Sequence, residues 1–177
     1  MHRAGAMLRR VSPNRGRPYN AGVNDAPSPH PYSALTPDTV LDAVESVGFL
    51  ADGRQLALNS YENRVYQVGL EEGQAGPLGD ARFLVAKFYR PGRWTDEQIL
   101  EEHGFAGELA EREIPVVPAL EIAGSTLHHH GGFRFALFPR RGGRAPELED
   151  PTTLEWLGRF IGRIHAVGAS KPFVHRP

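Results

Sequence analysis

A single lysine inside an otherwise apolar run is the feature that most constrains how this chain folds. Residues 83–89 read Phe-Leu-Val-Ala-Lys-Phe-Tyr, a run typical of a buried strand, and Lys87 is one of two lysines among 177 residues. Alternation along a strand places Lys87 on the same face as Val85 and Tyr89. Burying an unpaired ammonium is costly, so Lys87 needs either an acidic partner or an edge position from which it can reach solvent.

The partner of Lys87 is expected on the helix that follows. Thr95 begins a capping-box pattern, which predicts a helix over residues 95–112. Glu102 lies fifteen residues after Lys87 and falls within the apolar stripe of this helix, where a carboxylate requires a counter-charge. Glu101 is the competing choice, but it should point further toward solvent. The alternative is that Glu102 is only a boundary residue on a surface helix.

A polar turn, Ser60-Tyr-Glu-Asn63, separates predicted strands at 55–58 and 64–70. Its hydroxyl, amide and backbone donors suit phosphate oxygens. A polar loop beside a strand lysine is how the small lobe of a kinase holds nucleotide phosphates, and Val65 is positioned to cover an adenine face. The turn lacks the glycines common in such loops, so an ordinary polar hairpin tip is the alternative.

The remaining pattern predicts a mixed chain of helices and short antiparallel strands. Thr36 and Pro37 begin a first helix, and Asp150-Pro151 precedes a last one. The order is helix, three strands, helix, two strands, helix. The other predicted elements are a loop at 71–81, strands at 82–89, 120–122 and 133–138, and a last helix over 152–167.

Composition excludes several classes of function. The chain has no cysteine, which rules out disulfides, thiolate metal sites and a cysteine nucleophile. A net charge of −1 argues against nucleic-acid binding, and no apolar run reaches the ~20 residues of a membrane helix, so a soluble cytoplasmic protein is expected. Residues 1–34 are rich in arginine and proline, which predicts a disordered tail rather than a targeting peptide or nucleic-acid arm.

Three consecutive histidines, residues 128–130, are the clearest metal-ligand candidates. Neighbouring side chains of an extended segment point to opposite faces, so the three cannot easily bind one ion. A solvated hairpin end is therefore expected, and no metal site is predicted.

Longer runs give the chain a resemblance to a known family. They resemble bacterial serine/threonine protein kinases of the stress response, which have the fold of aminoglycoside phosphotransferases and choline kinases. The resemblance extends from about residue 35 to 177, and the runs that carry it are Asn59–Gln67, Lys87–Thr95, Gln98–His103, Gly131–Pro139, Gly142–Arg144, Leu157–His165 and Val174–Pro177.

The resemblance implies an α+β fold. Residues 35–141 would form a kinase-like small lobe, an antiparallel sheet of about five strands with a packed helix. Residues 138–141 would form the hinge, whose backbone pairs with the adenine edge, and residues 142–177 would leave the hinge and form the first linking helix of a larger lobe. Residues implied to bind ATP are Ser60, Asn63, Val65, Val85, Lys87, Glu102 and Phe138.

The family's catalytic aspartate and Mg²⁺ ligands belong to a downstream motif, and nothing in residues 1–177 matches it. These groups are expected beyond Pro177, so no catalytic or metal residue is assigned and the chain alone should be inactive. The implied activity is transfer of phosphate from Mg-ATP to protein serine or threonine hydroxyls, with self-association through an exposed lobe face as a further expectation. Alternatives are a lobe of an aminoglycoside, choline or homoserine-like alcohol kinase, or a non-catalytic nucleotide-binding or regulatory module.

Overall fold

The computed structural model describes residues 30–73, 78–79 and 81–176. Within those residues, eight elements follow one another: α1 (Pro37–Glu45), β1 (Ala51–Leu58), β2 (Arg64–Leu70), β3 (Phe83–Phe88), α2 (Asp96–Glu111), β4 (His128–His130), β5 (Phe133–Pro139) and α3 (Pro151–Gly168).

Most of the predicted disordered tail, residues 1–29, lies outside the described part of the chain. The last residues assigned to that tail form a turn instead, and Tyr32 within it is only 8% exposed. Its ring stacks on Phe133, and its hydroxyl donates a hydrogen bond to the Glu62 carbonyl oxygen over 2.9 Å. The predicted boundary at residue 34 is therefore too late, because one aromatic side chain already anchors this segment to the sheet.

The five strands form one antiparallel sheet in the order β1-β2-β3-β5-β4. This arrangement places β3 at the centre, where Lys87 lies opposite Val65 of β2 and Ala136 of β5. The predicted number of strands is confirmed. One of their positions is wrong, because residues 120–122 form no strand and contribute only an isolated bridge from Ile122 to Ser125 and one hydrogen bond from the Leu120 N–H to the Leu137 carbonyl oxygen.

A tight turn explains the misplaced strand. Ala123 and Gly124 both have positive φ, which reverses the chain immediately after Ile122. The fifth strand is β4, which consists of the three histidines and pairs with the start of β5. A polar triplet of this kind has no apolar alternation and so gives no strand signal.

Helix α1 covers one face of the sheet. Thr36 accepts a hydrogen bond from the Thr39 N–H as the N-cap, and Pro37 occupies the first turn as predicted. The buried side of α1 packs against alternate residues of β3, including Leu84 and Phe88, which are fully buried. This apolar layer is the main core.

Helix α2 covers the opposite face, and its predicted capping box between Thr95 and Gln98 is present. Ile99 is fully buried and packs with Tyr89 and Ala136. Burial alternates along β3, with Leu84, Ala86 and Phe88 buried and the residues between them half-buried. The alternation expected from the sequence is therefore confirmed, and it places Lys87 beneath α2.

Helix α3 begins after Asp150, whose carboxylate accepts hydrogen bonds from the N–H groups of Thr152 and Thr153. Its C-terminal half packs against the end of α2, where Val167 is buried beside Leu109. Another part of its surface leaves large apolar side chains exposed: Leu154, Trp156 and Ile161. None of the helices described here is long and apolar enough to cross a membrane.

Candidate functional site

A cleft of about 390 Å³ lies between the central strands, α2 and the segment that follows β5. The structure brings five of the seven predicted site residues together in its lining: Val65, Val85, Lys87, Glu102 and Phe138. Cavities of this size are typical of small-molecule sites. Its walls combine apolar side chains with an ammonium, a guanidinium and a carboxylate, which suits a ligand that has an apolar ring and an anionic group.

Lys87 and Glu102 form the ion pair that the sequence predicted. The Lys87 Nζ lies 2.9 Å from the Glu102 Oε1, and the two side chains are 22% and 35% exposed. The same ammonium lies 4.6 Å from the centroid of the ring of Tyr89, the residue that follows β3. Sheet and helix together therefore hold a partly desolvated ammonium at a fixed position at the edge of the cleft.

Glu101, in contrast, does not simply point into solvent. Its carboxylate accepts hydrogen bonds from the backbone N–H groups of Val174, His175 and Arg176. These bonds, led by that from Val174, hold the pKa of Glu101 below its usual range. No local pattern predicts these bonds, because the partners of Glu101 lie more than 70 residues away along the chain.

Ser60 and Asn63, the other two predicted residues, do not line the cleft. The Ser60 hydroxyl donates to the Asn63 carbonyl oxygen over 2.7 Å, and the Asn63 side-chain oxygen accepts from the Arg90 N–H over 3.2 Å. Both side chains thus hold the shape of the turn between β1 and β2. At the tip of this turn Tyr61 is fully exposed.

Sequence reasoning missed His103, which lines the cleft beside Glu102. Its ring is 6% exposed, with Nε2 2.6 Å from the Tyr89 hydroxyl and Nδ1 2.8 Å from the Thr126 hydroxyl. Burial lowers the pKa of His103 to about 4 and raises that of Tyr89. Its position four residues after Ile99 in the apolar stripe was the available signal.

Three further lining residues, in α2 and the segment after it, were not identified from the sequence: Ala106, Val117 and Ala119. Pro139 and Arg141 also line the cleft and belong to residues 138–141, the segment expected to form the hinge. The neighbouring Arg140 turns back to the sheet, where its Nε donates to the Gln67 side-chain oxygen over 2.7 Å. Residues 138–141 therefore contribute to one wall of the cleft.

Comparison with known proteins identifies the family. The model of a family described as "Phosphotransferase enzyme family" matches residues 54–177. The chain belongs to this phosphotransferase family. Stress response kinase A of Escherichia coli K12 is 46% identical over 146 residues, which are 82% of this chain and 42% of that protein. Serine/threonine protein kinase RdoA of Salmonella typhimurium LT2 is 44% identical over the same lengths.

Membership of the phosphotransferase family confirms the resemblance and the fold expected from the sequence. The five-stranded antiparallel sheet with its helices is the α+β arrangement of the family's kinase-like N-terminal lobe. The chain spans less than half the length of the curated relatives it matches.

Metal-ligand candidates are scarce in the part of the chain that the structure describes. No group of three His, Cys, Asp or Glu side chains there is arranged to hold a metal ion. Two of the three histidines of β4 make other contacts, so this segment is more than the solvated hairpin end that was expected. The His129 Nε2 lies 3.1 Å from the Asp96 carboxylate, and the His128 ring packs against Phe135.

Proposed function

We propose that this chain is the ATP-binding lobe of a kinase that transfers phosphate from Mg-ATP to serine or threonine hydroxyls of proteins in the bacterial stress response. The observation that carries this proposal is the Lys87–Glu102 pair, 2.9 Å apart at the edge of the cleft. In protein kinases a strand lysine and a helix glutamate form such a pair when the phosphate site is assembled. The names of the relatives, stress response kinase A and serine/threonine protein kinase RdoA, support the same activity.

The residues present fit ATP. Val65, Val85 and Phe138 give the cleft apolar walls suited to a purine, and Lys87 supplies the cation that suits its phosphates. The fit does not extend to Mg²⁺, because no metal-holding cluster occurs among the described residues. Mg²⁺ and the catalytic aspartate therefore belong, in this proposal, to the part of the relatives' length that this chain does not span.

Catalysis in this proposal rests on positioning and charge. ATP supplies the phosphoryl group that is transferred. The Lys87 ammonium binds and orients the phosphates and offsets their negative charge, while Glu102 fixes the lysine side chain in place. The proposed division of labour assigns binding to residues 35–141 and the passage to a larger lobe to residues 142–177. By itself the 177-residue chain would bind nucleotide without transferring phosphate.

The acceptor is proposed from the relatives alone. A small-molecule alcohol is the second candidate, because the family description specifies phosphotransfer and no acceptor. ATP is the proposed ligand in either case, and the cytoplasm is the proposed location because ATP is available there. The exposed apolar side chains of α3, Leu154, Trp156 and Ile161, form the proposed surface for the larger lobe or for self-association.

The two lysines of the sequence provide a matched test. In the intact protein, Lys87→Met should abolish phosphate transfer from ATP to casein, because it removes the phosphate-binding cation. Lys171→Met is the control, since Lys171 pairs with Glu108 and does not line the cleft. Mg-ATP affinity, measured by calorimetry, should fall on the order of tenfold or more in Lys87→Met only. Undiminished transfer by Lys87→Met would overturn the proposal.

A further inference from the structure

The segment after α3 is hydrogen-bonded to the N-terminal half of α2. The Glu101 carboxylate accepts hydrogen bonds from the backbone N–H groups of residues 174, 175 and 176, with N···O distances of 2.5, 2.9 and 2.7 Å. Gln98 donates its side-chain N–H to the His175 carbonyl oxygen over 2.9 Å, and the Arg176 Nε donates to the Gln98 carbonyl oxygen over 3.0 Å. Five hydrogen bonds therefore join two segments that lie more than 70 residues apart in the sequence.

The Arg176 side chain also connects this segment to the candidate site. Its guanidinium pairs with the Glu102 Oε2, while Lys87 occupies the Oε1 of the same carboxylate. Glu102 thus has two cations, one from the central strand and one from the segment after α3. The Arg176 and Glu102 side chains are 26% and 35% exposed, so the pair is less screened than one at the free surface.

Trp94 connects the same arginine to the turn between β1 and β2. The Arg176 guanidinium lies 4.4 Å from the centroid of the Trp94 ring. The indole N–H donates to the Glu62 carboxylate over 3.0 Å, and Glu62 belongs to the turn that contains Ser60 and Asn63. Arg176 therefore contacts the ion pair directly. It is connected to the predicted phosphate loop through a single residue, Trp94.

We propose that Arg176 is a positioning residue that holds Glu102, and through it Lys87, in the arrangement that binds ATP. Because Arg176 takes one carboxylate oxygen, Glu102 orients Lys87 without neutralising it fully, and the ammonium keeps attraction for phosphate. The five backbone and side-chain bonds fix α2 at the same time. The position of α2 is thus set by the chain beyond α3, and the inference rests on the proposed ATP site.

The first test is Mg-ATP affinity of the intact protein, measured by calorimetry for Arg176→Leu. We expect the dissociation constant to rise about tenfold, a typical size for coupling between contacting groups. Arg159→Leu is the matched control, because Arg159 forms an exposed pair with Glu155 on α3 and should leave the affinity unchanged. Hydrogen exchange should increase in α2 and stay unchanged in α1. An unaltered affinity for Arg176→Leu would overturn the inference.

Repeating the Arg176→Leu substitution in a Glu102→Gln variant shows whether Arg176 acts through Glu102. In Glu102→Gln, the carboxylate is gone, so adding Arg176→Leu should weaken ATP binding by less than about twofold. An equal further loss in that background would show that Arg176 acts elsewhere and would also overturn the inference. If Arg176→Leu does not fold, Arg176→Lys is decisive. It keeps the charge but lacks the forked donors, and it should bind ATP about threefold more weakly than the wild type, whereas wild-type affinity would reject the idea.

Failure of the proposed ATP site can be distinguished from failure of the role proposed for Arg176. If the wild-type protein does not bind Mg-ATP, or if Lys87→Met binds it with wild-type affinity, the ATP site itself is wrong. If the wild type binds ATP, Lys87→Met loses binding and Arg176→Leu retains it, the ATP site stands and only the role of Arg176 is rejected.

Discussion

The two faces of the sheet differ in how completely they are buried and in whether they contain charged side chains. The face under α1 is closed and apolar, with Val40, Val44, Leu84 and Phe88 all fully buried. The face under α2 is apolar around Ile99 and half open beside it, where the Lys87–Glu102 pair lies at a cleft. Strand β3 contributes alternate residues to both faces, so a single strand serves the core and the site at once.

This difference indicates that stability and chemistry are separated by the sheet. Apolar burial is the main source of folding free energy, and partly exposed ion pairs add little. We therefore expect substitutions under α1 to change the free energy of unfolding and substitutions under α2 to change ligand affinity. Neighbouring residues of β3 allow this expectation to be tested.

The largest effect is expected at Leu84. Leu84→Ala removes a fully buried side chain from the α1 face and should lower the free energy of unfolding by roughly 3–5 kcal/mol, as measured by urea denaturation. Its neighbour Val85 points into the cleft and is half-buried, so Val85→Ala should cost about 1 kcal/mol or less.

The same two variants separate the faces by function. Val85→Ala should weaken Mg-ATP binding because it removes part of the apolar wall, whereas Leu84→Ala should retain affinity in its folded fraction. Equal losses of stability at the two positions would show that both faces belong to one core, and the comparison would then fail.

A smaller effect, confined to acidic pH, is expected from His103. Its pKa falls from an unfolded value near 6.5 to about 4 because the ring is buried. Between these two values the unfolded state binds more protons, so stability is complete above about pH 6.5 and declines as the pH falls toward 4. The decline from this one group should reach up to about 3 kcal/mol.

The measurement is the free energy of unfolding of the wild type and of His103→Gln between pH 4 and 8. Carboxylates such as Glu101 also titrate in acid, but both proteins contain them, so the difference between the two curves isolates the histidine. That difference should change between pH 4 and 6.5 and be flat above. Parallel curves over the whole range would mean that His103 is not buried in its neutral form.

Local patterns were sufficient to predict much of this architecture. Alternation along residues 83–89 and the capping box at Thr95 predict β3 and α2 without knowledge of any contact. Together they place a lysine and a glutamate on facing surfaces, and each charge then requires the other. The Lys87–Glu102 pair was therefore one of the alternatives that the residues offered, and the structure contains it.

Contacts between distant segments could not be predicted in this way. Strand β4 has no apolar period, and it forms because β5 offers it an edge to pair with. Glu101 is bound by backbone N–H groups, which exist at every residue and leave no trace in the sequence. Arg176 reaches Glu102 across 74 residues.

Lys87 is where we expect the largest effect on ATP binding and one of the smallest changes in the free energy of unfolding. Lys87→Met should alter the free energy of unfolding by no more than about 1 kcal/mol, because the pair is partly exposed and Glu102 keeps Arg176 as a counter-charge. Urea denaturation of the variant beside Leu84→Ala provides the comparison. A loss above about 2 kcal/mol for Lys87→Met would mean that the ion pair holds the α2 face together. The sheet would then have two structural faces, and the cleft could not be separated from the core.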